Sequence, residues 1–173
     1  MTRGTIGCPI CRAEYAIENG TVKFGIDPLL GADSRSDDIT LEEMLDPETV
    51  QALLSVEGSG YVVLLGSAAR LSNGLAELAP GIQLIGVNAP PDVGESPIIS
   101  LLQAAADIPL RSSVVHGAVI GREYAVEPWL AEGVRVLIDN MRLVVGGESV
   151  TVTGAKRLAA ERGLWVGVKT GLP

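Results

Sequence analysis

Two cysteines stand in the run Cys8-Pro9-Ile10-Cys11. At this spacing a tight knuckle can present two thiolates to one tetrahedral metal from one side. A closed structural zinc site takes four ligands, and the chain has no other cysteine. Its single histidine, His116, lies far along the sequence inside a predicted strand. Three completions stay open. Two chains could pool their pairs around one zinc, or a partner protein could supply the missing half. The third is a metal-free knuckle held by its hairpin, since a two-cysteine site binds metal weakly by itself. The second place with chemical potential is Tyr61-Val62-Val63-Leu64-Leu65-Gly66-Ser67-Ala68-Ala69-Arg70. An apolar strand runs into a glycine and then a helix, and a second strand follows at Ile82-Gln83-Leu84-Ile85-Gly86-Val87. That order is what a nucleoside or dinucleotide site needs. The loop is poor in glycine, however, and the second strand leads to Asn88 rather than to an acid. No nucleophile elbow, phosphate-cradling P-loop or His-Glu-x-x-His motif occurs.

The elements that must position these residues follow from patterning. Residues 1–26 form a ribbon-like hairpin, with Asn19-Gly20 as its turn because both residues tolerate positive φ. Residues 27–57 form an acidic linker with helices. Thr40-Leu41-Glu42-Glu43 matches a capping box. Asp46 can cap a helix that has Pro47 at its first position and Val50, Leu53 and Leu54 on one face. Residues 58–173 alternate. Strands are expected at 61–65, 82–87, 98–102, 114–120, 142–145 and 164–168. Helices are expected near 70–79, 125–139 and 155–162. Strands separated by such helices imply βαβ units with right-handed crossovers. The fold class is α/β: a Rossmann-like, mostly parallel sheet with helices on both faces, preceded by the small hairpin ribbon. Strand 61–65 should be central, because its sequence is wholly apolar.

Composition narrows the classes. Apolar residues make up 47% of the chain and aromatics only 3%, so the core is aliphatic. Non-alternating Val-rich runs suit strands buried on both faces. Trp129 and Trp165 read as helix–sheet packing residues. The net charge of −8 argues against nucleic acid, whose phosphates an acidic surface repels. Acids concentrate between Asp33 and Glu57, with Arg35 the only base among them. That stretch reads either as a solvated linker and helix face or as a docking surface for a basic partner. No apolar stretch is long enough to cross a bilayer. No apolar run follows Met1-Thr2-Arg3-Gly4, so no signal peptide is expected, and the expected location is cytoplasmic.

The first unit resembles a known pattern. Cys8-Pro9-Ile10-Cys11-Arg12-Ala13-Glu14-Tyr15-Ala16-Ile17-Glu18-Asn19-Gly20 is similar to the ribbon of small Trm112-like proteins, with Ala16 where proline is usual. The same ribbon precedes some class I S-adenosylmethionine-dependent methyltransferases. Residues 60–170 resemble that methyltransferase domain in order and spacing, which implies that the last strand, 164–168, is antiparallel at or near an edge. Asp107-Ile108-Pro109-Leu110 is similar to its acid-then-Leu-Pro segment, and Leu137 to Val145 to its helix end and fifth strand, with Asn140-Met141 replacing a Pro-Gly-Gly turn. The resemblance implies a cofactor crevice at Gly66, Asn88 and Asp107. It also exposes departures. The family loop is acid-x-Gly-x-Gly-x-Gly, and this chain has Leu64 for the acid, keeps Gly66, and has Ala68 and Arg70 for the later glycines. Asn88 stands where an acid would bind ribose, which weakens that hydrogen bond. Arg70 would put a long charged chain at the pocket mouth. His116 falls near the family's fourth-strand aspartate; a partly buried strand residue with satisfied nitrogens is the plain alternative. Gly121-Arg122-Glu123 follows the fourth strand, where family substrate residues often lie.

These departures imply a degenerate methyltransferase-like protein, non-catalytic, acting as a binding or structural subunit of a larger assembly with a protein partner or as a homodimer. No cofactor is then expected, apart from zinc shared between chains. The alternatives are an active S-adenosylmethionine-dependent methyltransferase with a divergent loop, and a small-ligand binder that kept the crevice.

Overall fold

The computed structural model describes residues 3–25, 46–94 and 96–171. The proposed capping box at residues 40–43 and most of the acidic linker lie outside them. One sheet of ten strands organises the chain, in the spatial order β1-β2-β3-β6-β5-β4-β7-β8-β10-β9. Its strands are β1 (Arg3–Gly7), β2 (Glu14–Glu18), β3 (Thr21–Lys23), β4 (Gly60–Leu65), β5 (Ile82–Val87), β6 (Ile99–Gln103), β7 (Val115–Ile120), β8 (Leu137–Gly146), β9 (Ala155–Glu161) and β10 (Leu164–Lys169). From β3 to β8 every neighbouring pair is parallel. The ribbon at one margin and the β8-β10-β9 group at the other are antiparallel. Strand β4 is central, as its apolar sequence implied, and β10 lies antiparallel beside the edge strand β9, as the resemblance implied.

Helices cover both faces. Helix α1 (Pro47–Leu54) starts as expected: Asp46 is extended at φ −76° and ψ 156°, and its side chain accepts the Thr49 N–H at 2.7 Å. Ser55 ends it in the left-handed conformation at φ 53°. Val50 and Leu54 pack into the first core layer with Val62, Leu64, Leu84, Leu101, Val119 and Val144. Helix α2 (Ser72–Leu78) lies in the same layer and is entered through a 3₁₀ turn over Gly66–Leu71. Helix α3 (Trp129–Val136) serves the opposite layer, where Trp129, Leu130 and Val134 meet Val63, Leu65, Ile120, Leu143 and Trp165. Along β4 the side chains alternate between layers, and Val62 to Leu65 are all buried. Each such residue contributes on the order of 1.5–3 kcal/mol by leaving water.

Two expectations need correction. Residues 155–162 form strand β9, not a helix, and Arg162 (φ 53°) and Gly163 (φ 78°) turn the chain directly into β10. Both residues have positive φ, as a type I′ hairpin requires. The helix expected over 125–139 spans only Trp129–Val136, and β8 begins at Leu137. The ribbon extends the sheet: Thr21, Val22 and Lys23 pair in parallel with Leu101, Leu102 and Gln103. The β5–β6 and β6–β7 connections carry no helix among the described residues, and none was expected there.

Arg135 replaces a crossover helix in holding the β6–β7 connection. Its guanidinium donates to the carbonyls of Ile108 (2.7 Å) and Leu110 (2.8 Å) and pairs with Glu132 at 2.6 Å. Glu132 in turn accepts the Ile108 N–H at 2.8 Å. Every one of these groups is drawn from α3 or from the segment it clamps.

Candidate functional site: the crevice at the strand tips and the ribbon knuckle

The chain steps outward from β4 to β5 and β6, then returns to β7 on the other side of β4. The strand order therefore reverses at the β4/β7 boundary, and open α/β sheets bind ligands outside the carboxyl ends at such a reversal. Here the two tips are tied together. The Gly121 N–H donates to the Leu65 carbonyl at 2.9 Å. The Ser67 N–H donates to Glu123 Oε1 at 2.5 Å, and the Ser67 hydroxyl bonds Oε2 at 3.0 Å. These are charge-assisted bonds to a carboxylate, the stronger class of hydrogen bond.

Gly66 is glycine for two reasons. Its φ is +65°, and a Cβ there would stand 2.2 Å from Glu123 Oε1 and 2.4 Å from the Tyr124 ring. A Cβ on Gly121 would likewise meet the Ser67 hydroxyl at 2.6 Å and both Glu123 oxygens at 2.7 Å. The glycine that the strand–loop–helix order marks thus makes room for the chain's own Glu123. Tyr124 is buried and meets Trp129 edge to face, with ring centroids 5.3 Å apart. That contact fixes the 122–124 turn against α3.

Asn88 ends β5 at φ 51°, buried. Its amide donates to the Ala104 carbonyl at 3.0 Å and accepts the Ala104 N–H at 2.8 Å. The side chain imitates a strand partner for the start of the β6–β7 connection. Arg70 grips Asp92 with two bonds, Nε to Oδ2 at 2.7 Å and Nη2 to Oδ1 at 2.9 Å. Hydrogen bonding from Arg70 holds the Asp92 carboxyl below its ordinary value. The pair joins the 3₁₀ turn after β4 to the β5–β6 loop. Asp107 is exposed, and its charge reinforces the Arg135 cation. Gly66, Ser67, Gly121 and Glu123 are thus brought together, while Asn88 and Asp107 are employed around the β6–β7 connection.

A cleft of about 600 Å³ opens beside this crevice. Its floor is Thr21, Lys23, Leu101 and Gln103, from the paired strands β3 and β6; Asn88, Pro90 and Pro91 form one wall. The Lys23 ammonium donates to the Gln103 carbonyl oxygen across the β3–β6 seam. This cleft depends on the ribbon joining the sheet, which no local motif announces.

His116 lies at the opposite end of β7 from Glu123, on the amino-terminal side. Its Nδ1 accepts the Tyr61 N–H at 3.3 Å, and its ring rests against Gly60. That is the plain reading of a partly buried strand histidine, remote from the crevice.

At the ribbon tip, the Arg12 N–H donates to the Cys8 carbonyl at 2.9 Å and the Cys8 N–H to the Ala13 carbonyl at 2.8 Å. Both cysteines are free thiols, Cys8 half-buried and Cys11 exposed. Hydrogen bonds from the backbone N–H groups of Cys11 and Ile10, and from the Cys11 thiol, lower the Cys8 thiol below its ordinary value. Among the described residues no three His, Cys, Asp or Glu side chains converge as a metal site. None of their helices is long and apolar enough to cross a membrane.

No protein-family model and no curated protein matches the sequence. Solved structures do match in fold. A chain from the complex between the Haloferax volcanii methyltransferase activator Trm112 and a candidate methyltransferase superposes with a TM-score of 0.55 at 15% identity, over 72% of this chain and 88% of that one. A candidate S-adenosyl-L-methionine-dependent methyltransferase from Methanococcus maripaludis gives 0.56 at 12% identity, over 73% and 84%. A SAM-dependent methyltransferase from Aquifex aeolicus gives 0.54 at 12% identity, over 73% and 89%. At such identities the likeness establishes architecture: this chain has the class I methyltransferase fold.

Proposed function

We propose that this chain is a non-catalytic methyltransferase-like protein that serves as a binding or structural subunit. The observation carrying this reading is the Glu123 carboxylate bonded to Ser67 at the strand-order reversal, against Gly66. A ligand entering between β4 and β7 must first displace the exposed Glu123 carboxylate, which already bonds the Ser67 N–H and hydroxyl. Asn88, the residue placed to meet a ribose, spends its amide on Ala104. Arg70 and Asp92 strap the 3₁₀ turn to the β5–β6 loop. These contacts favour a crevice converted into structure. A subunit role accords with the likeness to a chain from an activator–methyltransferase complex.

Thermal unfolding with S-adenosylmethionine tests the reading. Cofactor at about 100 Kd would add roughly 2.7 kcal/mol to the native state. No shift at millimolar cofactor is the expected result. A saturable rise of several degrees would revive an active methyltransferase with a divergent loop. The cleft of about 600 Å³ beside Asn88 favours one second reading, a binder of a small polar ligand. That reading predicts stabilisation by some other metabolite while S-adenosylmethionine remains inert.

A further inference from the structure

We infer that the cleft of about 600 Å³ between the ribbon and the β5–β6 loop binds a zwitterion, an α-amino acid with a large apolar side chain. This gives a chemical class to the ligand of the second reading, a small-ligand binder at the cleft, and rests on that reading. The cleft exists because one face of the sheet stays open. A right-handed crossover from β5 to β6 would lay its helix on the face that α2 covers. The β5–β6 connection has no helix among the described residues. Strand pairing fixes which side chains form the floor. Thr21 pairs with Glu18 on one side and Leu101 on the other, and Lys23 pairs with Gln103. Thr21 and Lys23 are two residues apart, so all five share one face. Pro90, Pro91 and Val93 of the β5–β6 loop add an apolar wall. The volume is that of a small-molecule site.

Two opposite charges line this cleft. Among the described residues Lys23 is its one cation and Glu18 its one anion. Glu18 lies opposite Thr21, so Lys23 is its diagonal neighbour across the hairpin, at a backbone separation of about 7–8 Å. No ion pair joins them; the Lys23 ammonium donates instead to the Gln103 side-chain oxygen. An ammonium has three N–H donors, so Gln103 leaves two for a ligand. An amino acid carries both complements on one carbon. Its carboxylate meets Lys23 beside the Thr21 hydroxyl, and its ammonium meets Glu18, each through a charge-assisted hydrogen bond. Its apolar side chain lies against Pro90, Pro91 and Val93. Other classes fit less well. A phosphate meets one cation and is repelled by Glu18, an amine without an acid leaves Lys23 unmatched, and a neutral sugar leaves both charges unmatched.

Calorimetry on the full chain tests this with L-phenylalanine as the probe. Saturable binding in the millimolar range or tighter is expected. 3-Phenylpropionate lacks the ammonium and phenethylamine lacks the carboxylate, so each should bind about tenfold more weakly. Glu18→Gln should weaken L-phenylalanine about tenfold and leave 3-phenylpropionate unchanged. Lys23→Met should weaken L-phenylalanine and leave phenethylamine unchanged. Lys23 also joins the β3–β6 seam, so if Lys23→Met fails to fold, the exposed Glu18 still carries the test. In ¹H–¹⁵N spectra L-phenylalanine should move the amides of Thr21, Lys23 and Gln103 and leave those of Ser67 and Gly121 in place. Absence of saturable binding, or equal binding of all three probes, would overturn the amino-acid assignment. So would shifts confined to Ser67 and Gly121. A sugar or nucleotide that moves Thr21 and Lys23 where L-phenylalanine does not would also overturn it, while leaving the cleft a ligand site. If no probe of any class moves them, the second reading falls as well.

Discussion

The strand tips and the ribbon tip use polar chemistry in opposite ways. At the β4/β7 tips the groups that could hold a ligand hold one another: Ser67 with Glu123, Asn88 with Ala104, Arg70 with Asp92. At the ribbon tip the pair Cys8 and Cys11 faces outward next to an almost fully exposed Ile10. On the proposed reading, the contacts at the strand-order reversal are part of what holds the sheet together. Chemistry still directed at the outside lies at the far margin of the same sheet.

Substitutions can break this contrast. Gly66→Val puts a branched side chain at φ +65° into the Glu123 carboxylate and the Tyr124 ring. The backbone strain and the overpacking together should cost about 3 kcal/mol or more in urea unfolding. Adding Glu123→Ala should recover only part of that, because the Tyr124 clash and the strain remain. Asn88→Leu strands the buried Ala104 N–H and carbonyl and should cost about 2 kcal/mol. On the metal-free chain, Ile10→Ser should change stability by no more than about 0.5 kcal/mol, as surface substitutions do. If it cost as much as Asn88→Leu, the ribbon tip would be core and the contrast would fail.

The clamp on the β6–β7 connection should show in acid. Burial pushes Glu132 upward, but hydrogen bonds from Arg135 and the Ile108 N–H outweigh it and leave the carboxyl below its ordinary 4.5. A carboxylate with a lowered folded value stabilises the native state fully above its unfolded value. That contribution is lost as the pH falls from about 4.5 through the folded value. Glu132→Gln should therefore lower stability at neutral pH and flatten the acid limb of the stability–pH curve, read by thermal unfolding. An unchanged acid limb would remove the clamp. Arg70→Ala should also have a small effect. Its partner Asp92 is largely exposed, so the loss should stay under about 1 kcal/mol. It should not create S-adenosylmethionine binding, because Glu123 remains in place.

Much of the architecture was legible because wholly apolar strands admit few arrangements. Val62 to Leu65 could only be central, and Asp46-Pro47 marked the start of α1 correctly. Strand–glycine–helix order and the resemblance singled out Gly66, but not the Glu123 carboxylate against it. Glu123 lies 56 residues from Ser67, and only the parallel pairing of β4 with β7 brings them together. Asn88 was singled out, yet its partner is a backbone group that no side-chain pattern reveals. Ala155 to Glu161 misled because alanine, lysine, arginine and leucine all favour helix. Pairing with β10 overrides that preference, and the Arg162-Gly163 turn makes the pairing local. His116 is the partly buried strand residue of its plain reading, and the direction of β7 keeps it at the end remote from Glu123.

The central claim is that Glu123, rather than a cofactor, occupies the reversal point. The amide resonance of Ser67 reports this directly, because its N–H is the donor to Glu123. Two-dimensional ¹H–¹⁵N spectra recorded during titration with S-adenosylmethionine should leave the Ser67 and Gly121 resonances unmoved up to millimolar cofactor. Glu123→Gln should move the Ser67 resonance without any cofactor. Saturable shifts of Ser67 and Gly121 at low micromolar S-adenosylmethionine would contradict the account, since the cofactor would then displace Glu123 with ease.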